Sequence, residues 1–176
     1  MTEGGFLMNA IVAVGRNWGI GAGGKLLFRI PEDMRRFRKM TEGKTVAMGR
    51  KTLESLPGGK PLPNRRNVIL SSSMKSTEGI EVCRGKEELL EKLKGIPEDD
   101  VFVIGGGEVY RLLLPHCRKA YVTKIDAERP SDVFFPNLDE EEGWEMTDEG
   151  IRIPETDETP AYSFAVYENA RLRSAK

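Results

Sequence analysis

Four apolar runs of strand length organise the chain: Asn9-Ala10-Ile11-Val12-Ala13-Val14, Thr45-Val46-Ala47-Met48, Asn67-Val68-Ile69-Leu70 and Asp100-Val101-Phe102-Val103-Ile104. Continuous rather than alternating hydrophobicity predicts strands buried on both faces, as in a parallel sheet covered by helices. Ile80 to Cys83 reads as a further short strand. Helices fall between these runs. Pro31 is pre-set for a first helical position, so a helix is predicted from there to about Thr41, just before Gly43. Others are predicted over Leu53 to Leu56, over Lys86 to Lys94 with Leu89, Leu90 and Leu93 on one face, and over Leu112 to Leu114, stopped by Pro115. Beyond Ala120 the pattern alternates, placing Tyr121, Thr123 and Ile125 on one face of a strand. Trp144 to Thr147 and Ala161 to Tyr167 then form a hairpin with no intervening helix, so the sheet is mixed, with an antiparallel C-terminal end. The expected organisation is a flexible extension over residues 1–7, one α/β domain over 8–168 and a tail over 169–176. The acidic, proline-containing stretch from Ala127 to Glu142 reads as surface connections. The loop from Gly15 to Lys25, with five glycines in eleven residues, reads as a mobile lid or binding loop.

Composition narrows the partners. With 176 residues, 39% hydrophobic and 31% charged, the chain suits one globular domain, and a formal net charge of −1 argues against nucleic-acid or membrane-surface binding. Cys83, Cys117 and the single His116 have no metal-ligand or CxxC spacing, so neither a metal nor a disulfide framework is expected. No apolar run approaches the ~20 residues of a membrane helix and no signal peptide is evident, which makes the cytoplasm the default compartment. A small-molecule partner and a monomeric chain are expected.

Candidate chemistry sits at strand ends. Asp33 shares a helix face with Phe37, Met40 and Met34, and a carboxylate turned toward a core or cleft costs several kcal/mol unless it finds a partner. It is either an acid for ligand recognition or a complement to the helix dipole. Gly49-Arg50-Lys51-Thr52, following a strand and opening a helix, combines a glycine turn, cations and a hydroxyl as a phosphate site would. Ser71-Ser72-Ser73 follows another strand at its C-terminal end, where ligands gather in open α/β sheets. Gly105-Gly106-Gly107-Glu108-Val109-Tyr110 resembles the dinucleotide fingerprint, and Asp126 lies about 20 residues on, but Tyr110 occupies the third glycine position and no βαβ unit follows. An ordinary Rossmann domain is therefore rejected. Either these glycines let backbone approach a phosphate, or they form a turn needed for packing.

Taken together, Ala10-Ile11-Val12-Ala13, Trp18-Gly19-Ile20-Gly21, Ile30-Pro31-Glu32-Asp33-Met34, Met48-Gly49-Arg50-Lys51-Thr52-Leu53-Glu54-Ser55, Leu62-Pro63-Asn64-Arg65-Arg66-Asn67-Val68-Ile69-Leu70-Ser71 and Val103-Ile104-Gly105-Gly106-Gly107-Glu108-Val109-Tyr110 resemble the dihydrofolate reductase family in order and spacing, from about Met8 to Tyr167. The resemblance implies an eight-stranded mixed sheet flanked by four helices, NADPH as cofactor, and reduction of 7,8-dihydrofolate to tetrahydrofolate. Hydride would pass to pterin C6 while N5 gains a proton. By resemblance, Asp33 is the active-site acid, with Leu26, Phe28, Tyr110 and Thr123 beside the reacting groups. Ile11, Val12, Met34, Phe37, Ser55, Leu56, Leu62 and Ile104 would surround the substrate, and Arg65 would fork onto its glutamate carboxylate. Ala13, Ile20 and Gly21 would contact the nicotinamide end. Gly49, Arg50, Lys51 and Thr52, with Ile104, Gly105, Gly106, Gly107, Glu108, Val109 and Tyr110, would cradle phosphates. Leu70, Ser71, Ser72 and Arg84 would hold the adenosine and its 2′-phosphate, and Gly105-Gly106 would be a cis peptide.

One departure stands out: the family often has Pro-Trp before the helix, where this chain has Leu27-Phe28, losing a φ restraint and an indole N–H. A pyrimidine reductase of riboflavin biosynthesis is an alternative, though pairing Asp33 with Arg65 disfavours it. A folate- or nucleotide-binding protein without turnover is the non-enzymatic one.

Overall fold

The computed structural model describes residues 7–173. In chain order it contains β1 (Met8–Val14), β2 (Gly19–Ala22), β3 (Lys25–Leu26), α1 (Pro31–Thr41), β4 (Thr45–Gly49), α2 (Arg50–Ser55), β5 (Arg66–Leu70), β6 (Ile80–Cys83), α3 (Lys86–Leu93), β7 (Val101–Gly105), α4 (Gly107–Leu113), β8 (Cys117–Ile125), β9 (Val133–Phe134), β10 (Trp144–Asp148), β11 (Tyr162–Asn169) and α5 (Ala170–Arg173). The main sheet has eight strands in the order β10-β11-β8-β1-β7-β4-β5-β6. From β8 to β6 neighbours run parallel, and β11 and β10 close the sheet antiparallel. The expected architecture is therefore present. A fifth, four-residue helix, α5, is added where only a tail was expected, and its Leu172 is buried. Residues 1–6 of the expected extension and 174–176 lie outside the described residues.

Strand alternation sorts the core into two sides. From β1, Ala10, Val12 and Val14 join Val68, Val103, Leu89, Leu113 and Tyr167. Ile11 points the other way, among Val46, Met48, Ile69 and Phe102, where Phe37 and Met40 of α1 and Leu56, Leu62 and Ile104 pack. Period-two geometry requires this split.

Two stretches read as irregular are structured. The glycine-rich segment after β1 contains β2 and β3, and β2 pairs with both β3 and β9 in a three-stranded sheet. The 127–142 stretch supplies β9 and inserts Phe135 and Leu138 into the core. Trp18, with φ 64°, stacks on Phe135 at 6.3 Å between ring centroids, so burial holds the lid base down. Among the described residues no helix is long and apolar enough to cross a membrane, and no group of three or more His, Cys, Asp or Glu could hold a metal ion.

Candidate active site

Parallel strands bring chemistry to one edge because their C-terminal ends align. Ala13 on β1, Gly105 ending β7, Gly49 ending β4, Leu70 ending β5 and Arg84 just after β6 all lie there. Ala13 also pairs with Thr123 of β8. Thr123, almost fully buried, donates its hydroxyl to Asp33 Oδ1 at 2.5 Å. The acid thus points from the first turn of α1 into the sheet, not along the helix axis toward solvent. Burial raises the Asp33 pKa above the usual carboxylate range, opposed by the Thr123 hydrogen bond and the Arg36 charge.

The pocket wall departs from expectation in three places. Ile11, Phe37, Leu56, Leu62 and Ile104 share one cluster. Val12 does not, since alternation sends its side chain into the core across the sheet. Met34 is 49% exposed, and Leu26, expected beside the reacting groups, is 68% exposed. Ser55 is exposed and donates its hydroxyl to the Thr52 carbonyl of its own helix at 2.7 Å.

Arg65 stands at the C-terminal end of α1, whose first turn carries Asp33, held by Nε to the Pro63 carbonyl at 2.9 Å and by Nη1 to Thr41 Oγ1 at 3.0 Å. Partial burial lowers the guanidinium pKa. Its loop is fixed by buried Asn67, which accepts from Leu62 N and donates to the Leu62 and Arg65 carbonyls. Sequence reasoning missed Asn67 and Thr41. A polar residue opening an otherwise apolar strand was the available signal for the first.

At the cradle, Gly105-Gly106 is a cis peptide, as expected. A Cβ on Gly105 or Gly106 would stand 3.2 or 3.4 Å from Thr52 Oγ1, so hydroxyl and glycine backbone form one polar edge. β4 and β7 are neighbours, which places the starts of α2 and α4 side by side. Gly49 lies against Val109, and Gly107 makes room for Val133 beneath the lid, where a Cβ would meet Cγ1 at 2.7 Å. Lys51 and Glu108 are exposed. Arg50 is also exposed but pairs with Glu54 at 2.7 Å, so it reaches an anion only by exchanging that partner. These donors fit a pyrophosphate. At the β5–β6 edge Arg84 donates to the Ser71 carbonyl at 2.9 Å, with exposed Ser72 alongside. Glu88 accepts the Arg84 backbone N–H, an acid near this edge that the sequence reading overlooked.

Tyr110, in the core, donates its hydroxyl to the Ile11 carbonyl at 2.7 Å, and burial pushes its pKa up, so it stays a neutral donor. The glycine-rich segment is tied to the 132–135 stretch: Gly23 N donates to Asp132 Oδ2, Asp132 N to Gly21 O and Phe135 N to Trp18 O. Within the glycine-rich segment Ile20 is buried and Gly21 half-buried. Phe28 packs against Ile30, Ile125 and Tyr162, the cluster that Ala13 also meets. Arg129 lies 4.5 Å over its ring and donates to the Leu27 carbonyl, clasping the two residues that depart from the family pattern.

A dihydrofolate reductase family model matches residues 7–169. The chain is 35% identical to the dihydrofolate reductase of Bacillus subtilis over 170 residues, covering 96% of this chain and 98% of that one. It is 40% identical to that of Haemophilus influenzae over 136 residues, 77% of this chain and 82% of the relative. Against that of Mycobacterium tuberculosis it is 43% identical over 143 residues, 76% and 85% respectively.

Proposed function

The chain belongs to the dihydrofolate reductase family, and we infer that it reduces dihydrofolate to tetrahydrofolate at the Asp33 site with NADPH as reductant. The reaction and a nicotinamide cofactor come with the family; the phosphorylated cofactor and the residue roles rest on the site itself. The observation that carries the reading is the half-buried Asp33 carboxylate, fixed by Thr123, at one end of an apolar wall that Arg65 closes at the other.

Thr123 occupies Oδ1 as a donor, which orients the carboxylate so that both oxygens can accept from the pterin 2-amino group and the adjacent ring N–H. Charge-assisted, two-point recognition of this kind is strong and geometrically selective. Holding negative charge there raises the basicity of the pterin at N5, so a proton delivered through water is retained as the imine carbon becomes electron-poor. Phe37, Leu56, Leu62 and Ile104 exclude water from the ring, and Arg65 takes the substrate's terminal carboxylate. Thr52, Arg50, Lys51 and the Gly105–Gly107 backbone would hold the pyrophosphate, while Arg84, Ser71 and Ser72 would take the 2′-phosphate. When bound, NADPH supplies a hydride from nicotinamide C4 to pterin C6. Ala13, Ile20, Gly21 and Tyr110 would orient its nicotinamide end.

The test is cofactor oxidation with dihydrofolate, run with NADPH and with NADH, beside a ribosylaminopyrimidine substrate. Turnover of dihydrofolate with preference for NADPH is expected. No dihydrofolate turnover with either cofactor would sink the reading, and equal use of both would remove the 2′-phosphate role from Arg84.

A further inference from the structure

Three arginines of α1 lie within four residues, and they are not equivalent. Arg35 pairs with Glu32 at 2.6 Å and Arg38 with Glu42 at 3.8 Å, both on the exposed side of the helix. Arg36 faces the sheet. Its guanidinium carbon lies 4.2 Å from the centroid of Phe164, half-buried. In register across β11 and β8, Phe164 is the partner of Thr123, the residue that donates to Asp33. Directly opposite residues of an antiparallel pair share one sheet face. Arg36 is also one turn on from Asp33 along α1, the spacing at which helical side chains meet. Helix and sheet therefore deliver the cation to the acid from two independent directions.

We propose that Arg36 is a positioning residue for the reaction: pinned over Phe164, its guanidinium is a built-in counter-charge for the Asp33 carboxylate. This rests on Asp33 being the active-site acid. Burial opposes ionisation of Asp33, and Arg36 is the cation that acts against it. The other groups around the acid do not serve. Thr123 on β8 is a neutral donor, and Tyr110 on α4 and Tyr162 on β11 are both held in the neutral form by burial. Glu32, beside Asp33 on α1, is an anion already engaged by Arg35. Beyond Asp33, the Asp148 carboxylate of β10 helps keep Arg36 charged against its own burial, and Tyr121 of β8 is a neutral neighbour. A planar guanidinium suits this place because it stacks on an aromatic face and remains protonated when partly desolvated.

The reading is checked by titrating the Asp33 side-chain carboxyl by 13C NMR in the full-length, ligand-free protein, comparing wild type, R36Q, R36K and F164L. Removing the cation in R36Q should raise the Asp33 midpoint by about 0.5 in pH or more, roughly a threefold gain in proton affinity. R36K, which keeps the charge but stacks less well, should move it by less than half as much. F164L, which frees the guanidinium, should fall between wild type and R36Q. A folded R36Q with an unmoved midpoint overturns the proposal; if R36Q does not fold, an unmoved F164L overturns it equally. Because the titration reads ionisation without turnover, failure of the dihydrofolate assay would leave this result intact.

Discussion

Asp33→Asn separates recognition from stability. In the wild-type protein Thr123 holds one carboxylate oxygen at 2.5 Å, and on the proposed reading the group also accepts two pterin N–H donors. Asparagine keeps one acceptor and sets an NH2 group against the second donor. Two charge-assisted bonds, about 1.5–3 kcal/mol each, become one neutral bond beside a donor–donor contact, a loss of roughly 3–5 kcal/mol. That corresponds to a fall in kcat/KM of about 10²–10⁴-fold. Stability moves the other way. Burial raises the native Asp33 pKa, so the native state holds this proton more tightly than the unfolded chain does. The group's contribution is present at low pH and is lost as pH rises through the native pKa. Removing it should make Asp33→Asn at least as stable as wild type at neutral pH, with the advantage closing below about pH 4, where carboxyls are protonated in both states. Steady-state kinetics with dihydrofolate and thermal melts across pH 3–8 measure both. A kcat/KM within tenfold of wild type, or a Tm difference that does not change with pH, would refute the reasoning.

Three further outcomes follow from named contacts. Arg65→Ala should raise KM for dihydrofolate by about 30–100-fold, the worth of a charge-assisted pair, and leave a pterin without the glutamate tail unaffected; equal losses on both would contradict its role. Asn67→Ala removes three buried hydrogen bonds and should lower unfolding free energy by roughly 2–4 kcal/mol in urea, while raising KM through the loosened Arg65 loop. At Gly19 a Cβ would stand 2.0 Å from Ser131 Oγ and 2.7 Å from its Cβ. Gly19→Ala should therefore cost about 1–3 kcal/mol, and adding Ser131→Gly should recover most of it; an additive double mutant would show that the two residues do not meet.

Much of this molecule is legible along the chain because its signals are local. Continuous apolar runs determine parallel strands, since both faces must be covered, and Pro31 and Gly43 bracket α1, ending in the left-handed backbone glycine tolerates. The family resemblance of the ordered motifs likewise singles out Asp33, Arg65 and the glycine cradle as candidates. What the chain alone could not reveal depends on which strands become neighbours. The pairing of β2 with β9, the burial of Phe135 and Leu138 in an acidic stretch, and the turning of Val12 away from the pocket all arise from packing across long sequence separations. The same holds for charge. On one helix Arg35 and Arg36 are adjacent and chemically identical, and only the sheet beneath decides that the first pairs with a surface glutamate while the second lies over Phe164 beside the acid. Electrostatic roles are set by distance and burial, and those belong to the tertiary structure.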